Sequence, residues 1–386
     1  MKNKNIYIVG AGLSGATIAR LLAEQGAQVS IFEQRDHVAG NCHDERCPHT
    51  QVREHRYGPH IFHTNDEEVW QFVQRFARFM PYQHRVFTTS QGQVWNLPVN
   101  LHTLNQFRSA AMTPNEARKW LASMTISTPD GAENLQQHAH ELMGAPLYET
   151  FFRDYTEKQW GCSATQLPAS ILKRLPFRFD YTDGYFDSRF QGMPQDGYTA
   201  MVQSMLQHPN IKVQTDVTVT AEIARELMEK GHVFWSGPLD AWFNHDAGRL
   251  RWRTLDFIRE AATADAQGCA VMNYADKSVP WTRITDHARL SPWEQHQQTL
   301  LVREIPREAK ENDIPYYPLR MADDERLLTH YRERASALTG VTFIGRLGTY
   351  RYMDMDVTLR QAISIAKHFI TTPAGERFLA WPDDNA

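Results

Sequence analysis

Ile6-Tyr7-Ile8-Val9-Gly10-Ala11-Gly12-Leu13-Ser14-Gly15 is the stretch that decides the fold class. Ile6 to Val9 is apolar and β-branched, the composition of a strand buried on both faces. Gly10, Gly12 and Gly15 then set a G-x-G-x-x-G spacing, and Ala16 to Ala23 reads as a helix with Ile18, Leu21 and Leu22 on one face. Gly26 punctuates it, Gln28 to Phe32 is a second strand, and Glu33 ends that strand. This is one βαβ unit with the length expected of a dinucleotide fold. In such a unit Gly10 permits the tight turn, Gly12 lets the backbone approach a pyrophosphate, and Gly15 lets the helix pack on the strand. Leu13 and Ser14 complete the turn, where the helix N-terminus offers free N–H groups and the positive end of its dipole. Glu33 is placed to accept hydrogen bonds from a ribose. A glycine turn without ligand is the bland alternative, and the flanking strand and helix argue against it.

The loop alone does not separate NAD from FAD. Gln34 and Arg35 lead into Asp36-His37-Val38-Ala39-Gly40-Asn41, a basic and glycine-rich continuation, and Asn41 joins the expected cofactor set. Near the other end, Gly345-Arg346-Leu347-Gly348 precedes a helix and supplies a second phosphate-facing turn. This two-ended arrangement points to FAD. Val217 and Gly237, beside or after later strands, are further cofactor candidates. No second G-x-G-x-x-G occurs, so no separate NAD(P) domain is evident.

Outward from the loop, residues 65–77 read as helix, 85–98 as paired strands around Gln91-Gly92, and 102–165 as mainly helical, with Pro114 at a helix start. Residues 126–133 read as a loop, and 175–195 carry aromatics with little helical period. Strands are expected over 211–219, 233–235 and 342–345, more across 252–304, and a last helix over 355–371. The fold class is therefore α/β, a discontinuous Rossmann-like FAD-binding domain with an inserted helical bundle and an inserted twisted antiparallel β-sheet domain. The expected division is 1–80, 205–245 and 319–386 for the FAD domain, 100–170 for the helices, and 81–99, 171–204 and 246–318 for the sheet.

Composition narrows the function classes. The chain has 386 residues, enough for two or three domains, with 42% hydrophobic and 22% charged residues. A net charge of −4 gives no overall field toward nucleic acid. Four cysteines without a C-x-x-C pair argue against a zinc site, and reduced thiols are expected. No metal is expected. No apolar run is long enough for a membrane span, and no secretory leader is seen, so a cytoplasmic protein is expected.

Several segments then resemble the bacterial UDP-galactopyranose mutases: Tyr57-Gly58-Pro59-His60-Ile61-Phe62-His63, Tyr155-Thr156-Glu157-Lys158-Gln159-Trp160-Gly161, Leu172-Lys173-Arg174-Leu175-Pro176, Phe190-Gln191-Gly192-Met193-Pro194, Val279-Pro280-Trp281-Thr282-Arg283-Ile284, Asp313-Ile314-Pro315-Tyr316-Tyr317-Pro318, and Gly345 through Asp356. They span nearly the whole chain in order. The resemblance implies three domains, a homodimer, and a role in cell-surface polysaccharide biosynthesis. It also implies an isomerase that interconverts UDP-galactopyranose and UDP-galactofuranose without net redox. Reduced FAD is nevertheless required, with NAD(P)H as external reductant, because flavin N5 attacks the anomeric carbon and the nucleotide diphosphate leaves.

By the same resemblance, Arg174 and Arg283 grip the substrate diphosphate from two sides. Guanidinium suits that task, because its planar fork matches phosphate oxygens. Phe152, Tyr155, Thr156 and Trp160 lie on helical spacing. A core face is the ordinary reading of such a stripe, while the resemblance assigns it to uracil contacts. His63 would lie against the isoalloxazine, with His60 and Ile61 beside the cofactor. Arg346, Tyr352, Asp354 and Met355 match the segment beside flavin and sugar. Tyr185 and Tyr317 match substrate-side tyrosines, and Asn273 the diphosphate or base; Glu304 is a further candidate.

Two positions depart from the family's pattern. His84 stands where Asn is common near the sugar, and Trp281 where Tyr is common. The same chemistry on dTDP-fucose or UDP-N-acetylgalactosamine therefore stays open. An amine-oxidase-like flavin oxidase would share the FAD fold but needs an apolar substrate cage, not two diphosphate-binding arginines. A non-enzymatic flavin sensor would need no nucleotide-sugar site.

Overall fold

Ile6, Ile8, Val29 and Ile31 lose nearly all exposure, as their β-branched runs require. They form the centre of a parallel five-stranded sheet in the order Ile211–Gln214, Gln28–Phe32, Asn5–Val9, His232–Trp235, Val341–Phe343. The computed structural model describes residues 5–128, 131–174, 177–373, 378 and 380–382. Helices Leu13–Glu24 and Met355–Thr371 lie together on one side of the sheet, where Ile18, Leu22, Leu359 and Ile363 share a core. A second core joins Trp235, Trp242, Tyr331, Phe343 and Tyr350.

The strand expected over 211–219 ends at Gln214. Asp216 takes a left-handed φ of 60°, which turns the chain out of the ladder. It nevertheless stays beside the second strand, since Asp216 N donates to Arg35 O at 3.0 Å and Val217 N to Glu33 O at 3.0 Å. Gly345, read as the end of a strand, instead opens the short helix Gly345–Thr349.

The larger sheet has seven strands in the order Tyr317–Pro318, Trp252–Thr263, Gln298–Glu308, Arg283–Asp286, Val271–Tyr274, Val86–Ser90, Gln93–Leu97. An antiparallel sheet was expected, but Val271–Tyr274 pairs parallel with Val86–Ser90. These two strands come from segments far apart in sequence, so no hairpin forces their direction. Helices Leu101–Arg108, Pro114–Ala122, Leu135–Phe151 and Arg153–Trp160 cover this end of the sheet. Leu104, Leu121, Leu147 and Phe151 there share a core with Trp95, Leu97 and Val271. Pro114 starts its helix as expected, behind a Thr113–Glu116 capping box.

The segment 190–204, expected with the large sheet, lies instead with the glycine-loop helix. Phe190–Pro194 forms a small sheet with Phe62–Thr64 and Phe79–Pro81. Helix Tyr198–Leu206 places Tyr198, Met201, Val202 and Met205 in the same core as Ile18. Asp44, 3% exposed, caps that helix from a distant strand by accepting Tyr198 N at 2.7 Å and Thr199 N at 3.0 Å. A carboxylate there satisfies free amides and meets the helix dipole. All four cysteines are free thiols, and among the described residues no helix is long and apolar enough to cross a membrane.

Buried histidines hold the chain between this region and the large sheet. His55 Nδ1 accepts His60 N at 3.0 Å, and His287 Nδ1 accepts His55 N at 3.1 Å. Burial pushes His55 down to about 4 and His60 to about 3, and His287 is also well lowered. His55 and His287 must be neutral to accept. A histidine whose folded pKa is depressed stabilises the fold above its unfolded pKa, and that stability is lost as pH falls toward the folded value. We therefore expect the melting temperature of the holoprotein to drop as pH is lowered from 6.5 toward 4. His55 alone contributes at most about 3 kcal/mol across that window. The check is a melting series against pH with His55→Asn, which keeps an acceptor but does not titrate. An unchanged slope in the variant would remove His55 from the account.

Candidate active site

One rung of the large sheet concentrates the chemistry. Asn273 is the cross-strand partner of Arg283, and Arg283 is the partner of Glu304. In a pleated sheet such opposed residues project to one face, so register alone brings them together. Arg283 Nε lies 3.0 Å from Glu304 Oε2, and Glu304 is 1% exposed. Burial would lower the pKa of Arg283, but the Glu304 carboxylate, with the phenols of Tyr155, Tyr317 and Tyr185, holds it well above the ordinary value. Burial raises the Glu304 carboxyl and Arg283 opposes that rise. The guanidinium is thus a fixed cation among aromatic rings, and Glu304 Oε1 is buried with no hydrogen-bond partner.

This rung faces a cavity of about 1100 Å³. One wall is aromatic. Trp160 meets Tyr317 edge-on at 6.3 Å, Tyr317 stacks on Tyr352 at 5.6 Å, and the Arg346 guanidinium lies over Tyr352 at 4.5 Å. Arg346 Nε donates to Met353 O at 2.7 Å, which fixes its plane. Another wall carries His63, stacked on Phe186 at 3.7 Å with Nδ1 3.0 Å from Ser188 Oγ. Burial lowers the pKa of His63, against Asp356 and Asp354, which raise it. His84, 4% exposed, meets Tyr185 edge-on at 5.7 Å. Burial, then Arg283 and His63, push His84 down to about 3, so it is neutral at working pH. Asn41, His60, Ile61, Asp354 and Met355 also line the cavity.

The other expected residues lie elsewhere. Phe152 and Thr156 are 6% and 7% exposed and do not line the cavity. Phe152 packs in the helical core, so the helical stripe divides between core and site. Val217 and Gly237 sit beside the parallel sheet, away from the cavity lining. Glu33 is 5% exposed, and its two oxygens accept Ala11 N at 2.8 Å and Arg35 N at 3.0 Å. It fastens the glycine loop, a role the ribose expectation did not include. Gln34 follows it in the same turn. Arg174 ends the turn Ala169–Arg174, and its side chain lies outside the described residues. Phe186 and Ser188 were missed, although Phe186 adjoins Tyr185 in sequence.

The glycine loop has the geometry its spacing implies. Gly10 has φ 103°, and a Cβ there would lie 2.0 Å from Ser236 Oγ; a Cβ on Gly15 would lie 2.1 Å from Gly10 O. Gly12 N-caps helix Leu13–Glu24 with no side-chain cap bond, which leaves its first amides available. Nearby, Arg35 lies over the Tyr57 ring at 4.4 Å and donates to Asn41 Oδ1 at 2.9 Å.

Known proteins resemble this chain in sequence and in fold. Residues 8–76 match a model of NAD(P)-binding Rossmann-like domains, and residues 150–352 match the model of UDP-galactopyranose mutase. A probable UDP-galactopyranose mutase of Klebsiella pneumoniae is 49% identical over 376 residues, covering 97% of each chain. The chain belongs to the UDP-galactopyranose mutase family. It is accordingly an isomerase of nucleotide sugars with a flavin-binding Rossmann-like domain. Within reach of the same similarity, the dTDP-fucopyranose mutase of Escherichia coli is 46% identical over 95% of this chain and 98% of its own. The fold matches the crystal structure of a reduced UDP-galactopyranose mutase with TM-score 0.71 at 13% identity, covering 96% of this chain and 94% of that one. Putrescine oxidase matches with TM-score 0.56 at 11% identity, covering 96% and 99%. That likeness concerns the fold alone, and Arg283 falls within the region that the mutase model matches.

Proposed function

We propose that the chain interconverts the pyranose and furanose forms of UDP-galactose, with FAD as its cofactor and NAD(P)H as external reductant. The observation that carries this reading is Arg283, a half-buried guanidinium kept cationic and aimed into a cavity large enough for a nucleotide sugar.

The residues present fit FAD. Arg35 Nη1 is buried without a hydrogen-bond partner, beside a loop whose Gly12 keeps the backbone open. Gly10, Gly12, Leu13, Ser14 and Gly15 would hold the pyrophosphate, and Arg346, Asp354 and Met355 the far end. When bound and reduced, the flavin supplies a nucleophilic nitrogen for the anomeric carbon. The chain's own residues do the rest. Arg283 holds the diphosphate and neutralises charge as it leaves, aided by Arg174. Tyr155 and Trp160 seat the base, and Tyr185, Tyr317 and Tyr352 close around sugar and phosphates. Apolar ring faces keep water from the reacting centre, which strengthens each charge interaction there. His63 would stand beside the ring system, its partial burial lowering its pKa against the pull of Asp356 and Asp354.

A second sugar has specific support. His84 is a bulky neutral ring on the cavity wall, and a relative of nearly equal identity is a dTDP-fucopyranose mutase. The deciding experiment incubates the enzyme, reduced or oxidised, with UDP-galactofuranose and separately with dTDP-fucofuranose, and follows pyranose product by chromatography. Reduced enzyme should convert UDP-galactofuranose at least tenfold faster than the dTDP sugar, a difference of about 1.4 kcal/mol in barrier. Oxidised enzyme should be silent. Equal turnover in both redox states would end the flavin mechanism, and a preference for dTDP-fucofuranose would reassign the substrate.

A further inference from the structure

Lys158 lies outside the cavity lining, between two residues that belong to it. It lies on helix Arg153–Trp160, between Tyr155 and Trp160, and its side chain turns toward the large sheet. Its Nζ donates to four main-chain carbonyls, of Tyr274 at 2.7 Å, Asp276 at 2.9 Å, Val279 at 2.9 Å and Trp281 at 3.1 Å. No carboxylate is among these hydrogen-bond partners. An ammonium has three protons, so four converging oxygens share them, and the segment 274–281 is wrapped about one cation.

That segment is the connection between strand Val271–Tyr274, which carries Asn273, and strand Arg283–Asp286, which starts at Arg283. Lys158 therefore ties the helix bearing Tyr155 and Trp160 to both ends of the loop between the two polar residues of the rung. A second cation supports the same helix. Arg253 Nε donates to Gln159 O at 2.9 Å and its Nη2 to Lys158 O at 3.3 Å, so the helix end is fixed to the sheet from below. Burial draws Lys158 down to about 8, and Asp276 and Asp154 oppose that fall.

We propose that Lys158 is a positioning residue of the mutase reaction: its ammonium, caged by four carbonyls of the loop 274–281, sets the spacing between the aromatic base seat on its own helix and the diphosphate-holding Arg283. This rests on the reading of Arg283 given under the proposed function. The spacing matters because a nucleotide sugar is gripped at two points of fixed separation, the base and the diphosphate. A shift of about 1 Å between such points can cost on the order of 100-fold in rate.

The test compares Lys158→Met and Lys158→Gln with Arg283→Ala in the flavin-loaded enzyme. Affinity for UDP is measured by titration, and kcat and KM with UDP-galactofuranose. Lys158→Met keeps the apolar stem and removes the cation; Lys158→Gln keeps two donors. We expect UDP binding to weaken about 10- to 100-fold in Lys158→Met and KM to rise in parallel, with partial recovery in Lys158→Gln and flavin content unchanged in both. In Lys158→Ala, added ethylammonium should restore affinity, and tetramethylammonium, which has no donor, should not. Weakened binding in Arg283→Ala with wild-type binding in both Lys158 variants would overturn the positioning role alone. Wild-type binding in all three would overturn the diphosphate reading together with it. If Lys158→Met does not fold, Lys158→Gln and the amine rescue still decide, since a role in stability alone would change melting temperature and leave KM unmoved.

Discussion

Arg283→Ala should lower kcat/KM about a thousandfold while the protein keeps its flavin colour. Removing one partner of a largely buried ion pair costs about 3–5 kcal/mol, and each 1.36 kcal/mol is tenfold in rate. Here the loss has two parts that can be separated. The substrate diphosphate loses its cation, and Glu304, 1% exposed, loses the charge that offsets its burial among the described residues. The pKa of the carboxyl then rises further, which changes the fold's stability without touching substrate. The double variant Arg283→Ala/Glu304→Gln separates the parts, because the amide needs no counter-charge. We expect it to regain melting temperature and to stay inactive. Arg283→Lys should fall between, since it keeps the charge but loses the planar fork. Steady-state kinetics and melting curves on the four proteins give the answer. Recovery of turnover in the double variant would mean that Arg283 serves only to neutralise Glu304.

Much of this was legible in the chain, for a physical reason. The glycine loop is a local motif: strand, turn and helix are neighbours in sequence, and Gly10 and Gly15 each answer a close contact, Gly15 that with Gly10 O. The rung Asn273–Arg283–Glu304 is not local. Nothing in those three segments fixes their register, and composition alone would leave Arg283 as a surface residue. Resemblance supplied Arg283, and sheet pairing explains why it has Glu304 for a partner. Lys158 was hidden for the opposite reason. Its partners are carbonyl oxygens, which every residue owns, so no side-chain pattern announces them. The stripe of Phe152, Tyr155, Thr156 and Trp160 was ambiguous in sequence because one helical period serves both a core face and a ligand face. Phe152 falls to the core and Tyr155 and Trp160 line the cavity. The parallel pairing of Val271–Tyr274 with Val86–Ser90 was likewise invisible, as the two strands are separated by the entire helical layer.

Gly15→Ala and Gly12→Ala should fail differently, and the contrast isolates what the loop does. A Cβ on Gly15 would lie 2.1 Å from Gly10 O and 3.1 Å from Ile8 Cγ2. The carbonyl cannot yield easily, because Gly10 N is held to Phe32 O at 2.8 Å and Gly10 itself sits at φ 103°. Inserting a methyl into packed structure costs about 1–3 kcal/mol where neighbours are side chains, and here the neighbour is backbone. The helix Leu13–Glu24 must move off the strand, and Ile18 and Leu22 with it, so Gly15→Ala should yield little folded protein. A Cβ on Gly12 meets nothing closer than Gly40 Cα at 3.7 Å, an ordinary contact. That variant should fold with a melting temperature near that of flavin-free wild type. Its methyl, however, stands where the backbone must approach a pyrophosphate, so it should purify nearly colourless, with flavin affinity lowered on the order of 100-fold. Flavin content from visible absorbance, melting temperature with and without added FAD, and binding by fluorescence quenching would be measured on both. If Gly12→Ala kept wild-type flavin affinity, the pyrophosphate would not pass over this glycine. The phosphate contacts would then have to come from elsewhere, such as Arg35 and the turn at Gly345.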